Sequence, residues 1–271
     1  MPSLYIVGTP IGNLEDMSAR AIRILKEVSL IASEDTRTTR HLLTHFNINT
    51  PMTSYFEHNK SAKLGYLLQA LRSGDVALVS EAGMPGISDP GYELVVAAQN
   101  SGIPVIPIPG PSAAVAALAV SGLPTDRFHY LGFLPRQSSA RRKYLEQAAG
   151  ESATLIAYEA PHRLKEALHD IMSVLGNRRI AVCRELTKVH EEVFRSTVQK
   201  ALDYFESPRG EFTLVIAGAE PKAEPMSRNQ VTTIMSELKS AGRSAKEAVG
   251  ELAEISGRSR KDLYELWLSL N

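Results

Sequence analysis

The 271 residues carry thirty lysines and arginines against thirty aspartates and glutamates, a formal net charge of zero, with 44% hydrophobic and 22% charged residues. At roughly 150 residues per domain this is enough chain for about two domains with cores of their own, which excludes a fibre or a charged tail. A neutral chain has no global attraction to nucleic acid, so any such binding needs a local basic patch. The single cysteine, Cys183, has no partner for an internal disulfide or a Cys-rich zinc site, and no metal is expected. The start MPSLYIVGTP lacks the basic, long-apolar pattern of a leader, and a cytoplasmic location is expected. The uncharged stretch from Leu94 to Thr125 is long enough to cross a bilayer, but Pro104, Pro107, Pro109 and Pro111, with Gly102 and Gly110, break any spanning helix. No membrane partner is expected.

In chain order, short apolar runs alternate with segments of helical period. LYIV precedes Ser18 to Lys26, LIA precedes Thr36 to His45, and a weak extended piece near Thr53 and Tyr55 precedes Ser61 to Ser73. VALV is followed by a loop and a helix from about Gly91 to Asn100, and VIPI by Ser112 to Val120. Such alternation predicts βαβ units with a mostly parallel sheet, forming an α/β domain over 1–122. A second series, FHYLGF, Ser138 to Ala149, ATLIAY, Pro161 to Leu175, IAVC, Thr197 to Phe205 and FTLVIA, predicts a second α/β domain over 123–219. The cleft between the two is the default site. The segment AEPKAEPMS has a linker's composition, and 226–271 predicts a small helical domain: Asn229 to Ala241, a helix opened by the Ser244 and Glu247 capping pair, and one opened by Ser259 and Asp262. The last two helices, turning at Gly257, resemble a helix-turn-helix, although seven basic residues against six acidic ones are weak support for DNA binding.

Three loops at strand ends have ligand-binding character. VGTPIGNL carries Gly8, Pro10 and Gly12 but neither a GxGxxG nor a GK[ST] pattern, so it does not support NAD or ATP binding. SEAGMPGISDPG, Ser80 to Gly91, holds three glycines and two prolines at the carboxyl end of VALV, where open α/β sheets bind ligands. IPGPSAAVAALAV brings small residues and a capping Ser112 to a helix start.

Taken together, these loops resemble the tetrapyrrole methylase superfamily. YEAPHRL (Tyr158 to Leu164), RELTKVHEE (Arg184 to Glu192) and RGEFTLVI (Arg209 to Ile216) are similar to its branch that methylates small-subunit ribosomal RNA. The resemblance covers essentially the whole chain. It implies two α/β domains that bind S-adenosyl-L-methionine between them, a homodimer, and methylation of the ribose 2′-hydroxyl of cytidine-1402 in 16S rRNA within the small ribosomal subunit. Carried over by position, Pro10, Ala82, Gly83, Met84, Ser112 and Ala113 contact the cofactor, and Tyr158 and Ala160 close it from the second domain. Gly83, Met84 and Pro85 stand where GDP is common in the superfamily, which weakens a porphyrin or corrin substrate.

A ribose hydroxyl needs a base or a cation for its developing charge. Glu185, just past a strand, is the first candidate base, with Arg184 or Lys188 as its charge partner; Glu34, Asp35, Arg37, Glu81 and Glu211 are further charged groups at strand ends. Arg136, Arg141, Arg142 and Lys143, interleaved with Phe133 and Tyr144, form a candidate RNA-binding stripe that Arg178 and Arg179 extend. Two other readings stay open at this point: a tetrapyrrole methyltransferase, and a DNA-binding regulator acting through the helical tail.

Overall fold

The computed structural model describes residues 2–220 and 226–270. The chain divides into two compact units, 1–219 and 220–271. Most of the expected linker, 221–225, lies outside the described residues, as does Asn271.

The first unit holds two five-stranded sheets. In the first, β1 (Leu4–Val7), β2 (Leu30–Ser33), β3 (Met52–Ser54), β4 (Val76–Val79) and β5 (Val105–Ile108) run in the order β3-β2-β4-β1-β5. Every pairing is parallel. Helices α1 (Ala19–Glu27) and α2 (Thr36–His45) place Ala21, Ile24, Leu25, Leu42 and Leu43 on one face, against Val7, Ile31, Ala77 and Val79. On the other face α3 (Lys60–Ser73) and α4 (Tyr92–Asn100) place Leu67, Leu71, Leu94 and Ala98 against Leu4, Ala32, Val76 and Leu78. With both faces covered, VALV and LIA are continuous apolar runs rather than alternating ones.

The second sheet contains β6 (Phe128–Phe133), β7 (Thr154–Glu159), β8 (Arg179–Arg184), β9 (Glu192–Thr197) and β10 (Phe212–Ile216), in the order β6-β7-β10-β8-β9. Here only β6 and β7 run parallel. One face is covered by α6 (Ser138–Gln147), α7 (Leu164–Leu175) and α8 (Val198–Tyr204), whose Leu145, Leu168, Ile171 and Ala201 share a core with Leu155, Val182 and Leu214. The other face receives α5 (Ala113–Ser121), which follows β5 in the chain yet packs on the second sheet through Ala114, Ala117 and Leu118 against Ile156, Ala181, Cys183 and Val215. For this reason residues 1–122 and 123–219, expected as two domains, make one compact unit. Strand β9 is an addition to the expected elements. It is an edge strand of half-buried, largely polar residues, EVFRST, whose place in the sheet comes from pairing with β8.

The described residues of the second unit form three helices, α9 (Arg228–Ser240), α10 (Ala245–Ile255) and α11 (Arg260–Ser269), closed around Val231, Met235, Ala248, Leu252 and Leu263. The Ser244 and Glu247 capping box forms, and Ser227 with Gln230 makes a second one. Ser259 accepts the Asp262 N–H at 3.1 Å.

The basic stripe expected on α6 requires a correction. Arg141 is fully buried, with Nε and Nη2 each 2.7 Å from Asp170 Oδ2 and Ser138 donating to the same carboxylate. Helical period turns it into the interface with α7, while Arg142, its Nε 3.6 Å from Asp170 Oδ1, and Lys143 are exposed. Tyr144 also belongs to the core, its hydroxyl donating to the Leu131 carbonyl at 3.0 Å. Arg178 is committed to the carbonyls of Leu175, Ala217 and Ala149. Replacing one partner of a buried ion pair leaves the other charge unpaired. Arg141→Ala is therefore expected to destabilise the protein by about 3–5 kcal/mol, whereas Lys143→Ala stays within about 0.5 kcal/mol, as read from denaturant unfolding.

Candidate active site

A cavity of about 620 Å³ lies in the first unit, where the carboxyl ends of β1, β2, β4, β5, β6, β7 and β8 meet the amino end of the antiparallel β10. This is within the usual range for small-molecule sites. Its floor is three loops locked together through their backbones. Thr9 and Gly83 exchange N–H···O bonds of 2.9 and 3.1 Å, joining the loop after β1 to the loop after β4. Gly83 makes this bridge at φ +79, in the left-handed region that glycine enters without strain. Gly8 and Gly110 face each other so closely that a Cβ on Gly8 would lie 2.7 Å from the Gly110 Cα, which fixes the loop after β5 against the loop after β1.

All eight residues carried over as cofactor contacts line this one cavity: Pro10, Ala82, Gly83, Met84, Ser112, Ala113, Tyr158 and Ala160. Met84, which stands in the place of the superfamily's carboxylate, packs with the core beneath α3 and α4. Ser112 occupies the N-cap of α5 without a side-chain capping bond. That role falls to Tyr158 from the second sheet, whose hydroxyl accepts the Ala114 N–H at 3.1 Å.

The expected catalytic group separates. Lys188 lines the cavity, its Nζ held 3.0 Å from Glu185 Oε1 and 3.0 Å from Glu211 Oε2. Its stem passes Gly12, where a Cβ would meet the Lys188 Cγ at 2.5 Å. Glu185 is not among the lining residues. Its carboxylate is engaged by Lys188 and by the Glu211 N–H at 2.8 Å. Burial raises the Glu185 pKa, but these two bonds outweigh it and leave the group below the ordinary carboxylate range. Glu185 thus positions Lys188. Arg184 is corrected more fully. As the last residue of β8 it points to the face opposite Cys183, which lines the cavity, and its Nη1 pairs with Glu192 at 3.0 Å. Arg136, Arg142 and Lys143 are exposed and outside the cavity.

Besides Lys188 and Glu211, the charged lining residues are Glu34, Glu81, Asp89 and Glu159, the last paired with Arg163 at 3.1 Å. Among the described residues that line the cavity, Lys188 is the only lysine or arginine, and it is already paired. Such a site suits a ligand carrying positive charge and does not suit a nucleotide polyphosphate. Asp89 is the residue that motif reading passed over. Burial first, then the charge of Glu34, pushes its carboxyl up to about 7 against a lowering bond from Ser80, with Glu81 adding to the rise. Glu34 is likewise raised, first by burial and then, against a bond from the Glu81 N–H, by the charges of Glu81 and Asp35. The available signal was an acid within a Gly- and Pro-rich loop after a buried strand; only folding places that acid near Glu34.

A carboxyl raised in the folded state holds its proton between pH 3.8 and about 7 while the unfolded chain releases it. Stability falls as pH rises through that window, and the cost is fully present above it. Asp89→Asn is therefore expected to be more stable than the parent at pH 8, by about 1–2 kcal/mol once solvent screening at a partly exposed site is discounted. The difference should fade below pH 4, as read from urea unfolding at the two pH values.

A family profile described as Tetrapyrrole (Corrin/Porphyrin) Methylases matches residues 3–202. The chain is 50% identical to a ribosomal RNA small subunit methyltransferase I from Halalkalibacterium halodurans over 98% of this chain and 94% of that protein. It is 49% identical to the protein of the same name from Synechocystis, over 100% and 99% of the two chains. Among solved structures, the fold is similar to a uroporphyrin-III-C-methyltransferase from Thermus thermophilus, with TM-score 0.57 and 20% identity over 80% of this chain and 94% of the other. It is also similar to a diphthine synthase, with TM-score 0.61 and 15% identity over 79% and 89%. With its cavity at the convergence of the loops that carry the superfamily motifs, the chain belongs to the tetrapyrrole methylase family and, within it, to the group of ribosomal RNA small subunit methyltransferase I proteins.

Proposed function

We propose that this protein transfers the methyl group of S-adenosyl-L-methionine to the ribose 2′-hydroxyl of cytidine-1402 in 16S rRNA, on the small ribosomal subunit in the cytoplasm, as a homodimer. The observation that carries this reading is the near full-length identity, 42–50%, to relatives named for methylation of small-subunit ribosomal RNA. A Thermus uroporphyrin-III C-methyltransferase of the same fold is described as complexed with S-adenosyl homocysteine, which supports the choice of cofactor.

The residues present fit that cofactor. The glycine-packed floor brings main-chain groups close to a ligand, and the unpaired carboxylates favour a cationic ligand over a phosphate. When bound, S-adenosylmethionine supplies an electrophilic methyl whose bond to sulfur breaks as the bond to the ribose oxygen forms. Pro10, Ala82, Gly83, Met84, Ser112 and Ala113 hold the cofactor, and Tyr158 and Ala160 cover it from the second sheet. Lys188, its ammonium fixed by Glu185 and Glu211, offsets negative charge developing on the ribose oxygen. Asp89 receives the hydroxyl proton, its pKa near neutrality matching a general base at cellular pH. Arg136, Arg142 and Lys143 hold phosphates outside the cavity.

Incubation with radiolabelled S-adenosylmethionine and unmodified small subunits, naked rRNA or a porphyrin precursor tests the reading. Label is expected as 2′-O-methylcytidine in subunits, while label on the tetrapyrrole alone overturns the substrate. Lys188→Ala is expected to lower kcat by roughly a hundredfold, the scale of losing one preorganised donor at a developing oxyanion. Gly110→Ala drives a Cβ into Gly8, separates the floor loops, and should weaken cofactor binding about tenfold or more in calorimetry. Replacing Arg136, Arg142 and Lys143 together by Ala should raise KM for subunits and flatten its salt dependence while sparing cofactor affinity.

A further inference from the structure

The second sheet contains an irregularity that the cofactor reading does not use. Strand β6 pairs with β7 in regular register to Tyr130 opposite Ile156, then shifts, so that Gly132 stands opposite Ala157 and Phe133 opposite Tyr158. The shift is a β-bulge, with Gly132 at φ +66. Side chains alternate faces along a strand, and before the bulge Tyr130 lies with the α5 face while Leu131 enters the core under α6 and α7. Without the bulge the next odd residue, Phe133, would follow Leu131 into that core. With it, Phe133 is turned to the face of its new neighbour Tyr158 and lines the cavity with 57% of its surface exposed.

The ring is held there firmly. It packs edge-on against Tyr158 at 5.4 Å between centroids, and Tyr130 packs on Tyr158 at the same distance. The Tyr158 hydroxyl is fixed to the start of α5 and that of Tyr130 to Ser88 at 2.7 Å, which ties the strand to the loop after β4. Beyond Phe133 the chain is anchored by buried Leu134, whose carbonyl accepts from Arg163. The fold thus presents a large aromatic face to solvent at a ligand cavity, on a rigid mount, three residues before exposed Arg136. A preset aromatic face beside a phosphate-binding cation is the usual means of holding an unstacked nucleobase.

We propose that Phe133 is the platform on which the cytosine base of the substrate nucleotide stacks, outside its RNA helix, while its ribose is methylated. This rests on the function proposed above. It makes Phe133 a specificity-determining residue that holds the acceptor nucleotide rather than the cofactor.

The test compares Phe133→Ala, Phe133→Leu and Phe133→Trp in full-length protein, with unmodified small subunits as substrate and calorimetry with S-adenosylmethionine alone. Loss of one stacked base predicts about a ten- to hundredfold fall in kcat/KM for subunits with Ala. Leu, which keeps apolar volume but has no π-face, should fall as far, and Trp should stay within about threefold of the parent. Cofactor affinity should change less than twofold throughout. Leu as active as Phe, Ala within threefold of the parent, or cofactor affinity falling in step with activity would each overturn the assignment. Failure of the parent enzyme itself to label any nucleotide overturns the function, and with it this inference, before any variant is compared.

Discussion

Helix α5 leaves the first sheet after Ile108 and seats Ala114, Ala117 and Leu118 on Ile156, Ala181, Cys183 and Val215 of the second. Everything at the cavity follows from that crossing. Apolar surface removed from water here joins the two sheets through a shared helix rather than a hinge, so their strand ends face one space. The small side chains of α5 permit the approach, and Tyr158 supplies from the second sheet the cap that Ser112 does not make. The loops of the first sheet and the groups delivered by the second therefore line one cavity.

The charge inside the cavity is set by which groups find partners. Lys188 is neutralised by two carboxylates and Glu159 by Arg163. Glu34, Glu81 and Asp89 remain, and burial together with mutual repulsion raises the first and last of them. Negative potential without hydrogen-bonded counter-charge costs folding stability, and a cationic ligand recovers that cost on binding. The same imbalance makes Asp89 suited to exchange a proton near neutrality.

Residues in one short segment serve different ends according to the face they occupy. Arg141 and Arg142 are adjacent and both reach Asp170, but Arg141 is fully buried while Arg142, with its Nε 3.6 Å from the carboxylate, is half exposed. Arg184 and Glu185 are also adjacent; Arg184 ends β8 and reaches Glu192, while Glu185, past the strand at φ +50, pairs with Lys188. Phe133 and Tyr144 are both stacking candidates by sequence, but only Phe133 presents its face to the cavity, because the bulge at Gly132 reversed its side while Tyr144 keeps its core bond to Leu131.

The elements and the loops that floor the cavity are legible in local sequence. Buried parallel strands are legible as VALV and LIA, the helices between them as amphipathic periods, and the loops lining the cavity as glycine and proline clusters at strand ends, because each is encoded by residues close together in the chain. The helical tail was legible for the same reason, through its local capping pairs. Tertiary contacts set which sheet α5 joins, that β9 exists, that Arg141 is interior, that Glu185 pairs with Lys188 rather than lining the cavity, and that Asp89 stands among other carboxylates. Each of these depends on partners tens of residues distant, whose arrival sets burial and charge, and neither quantity is a property of the local segment.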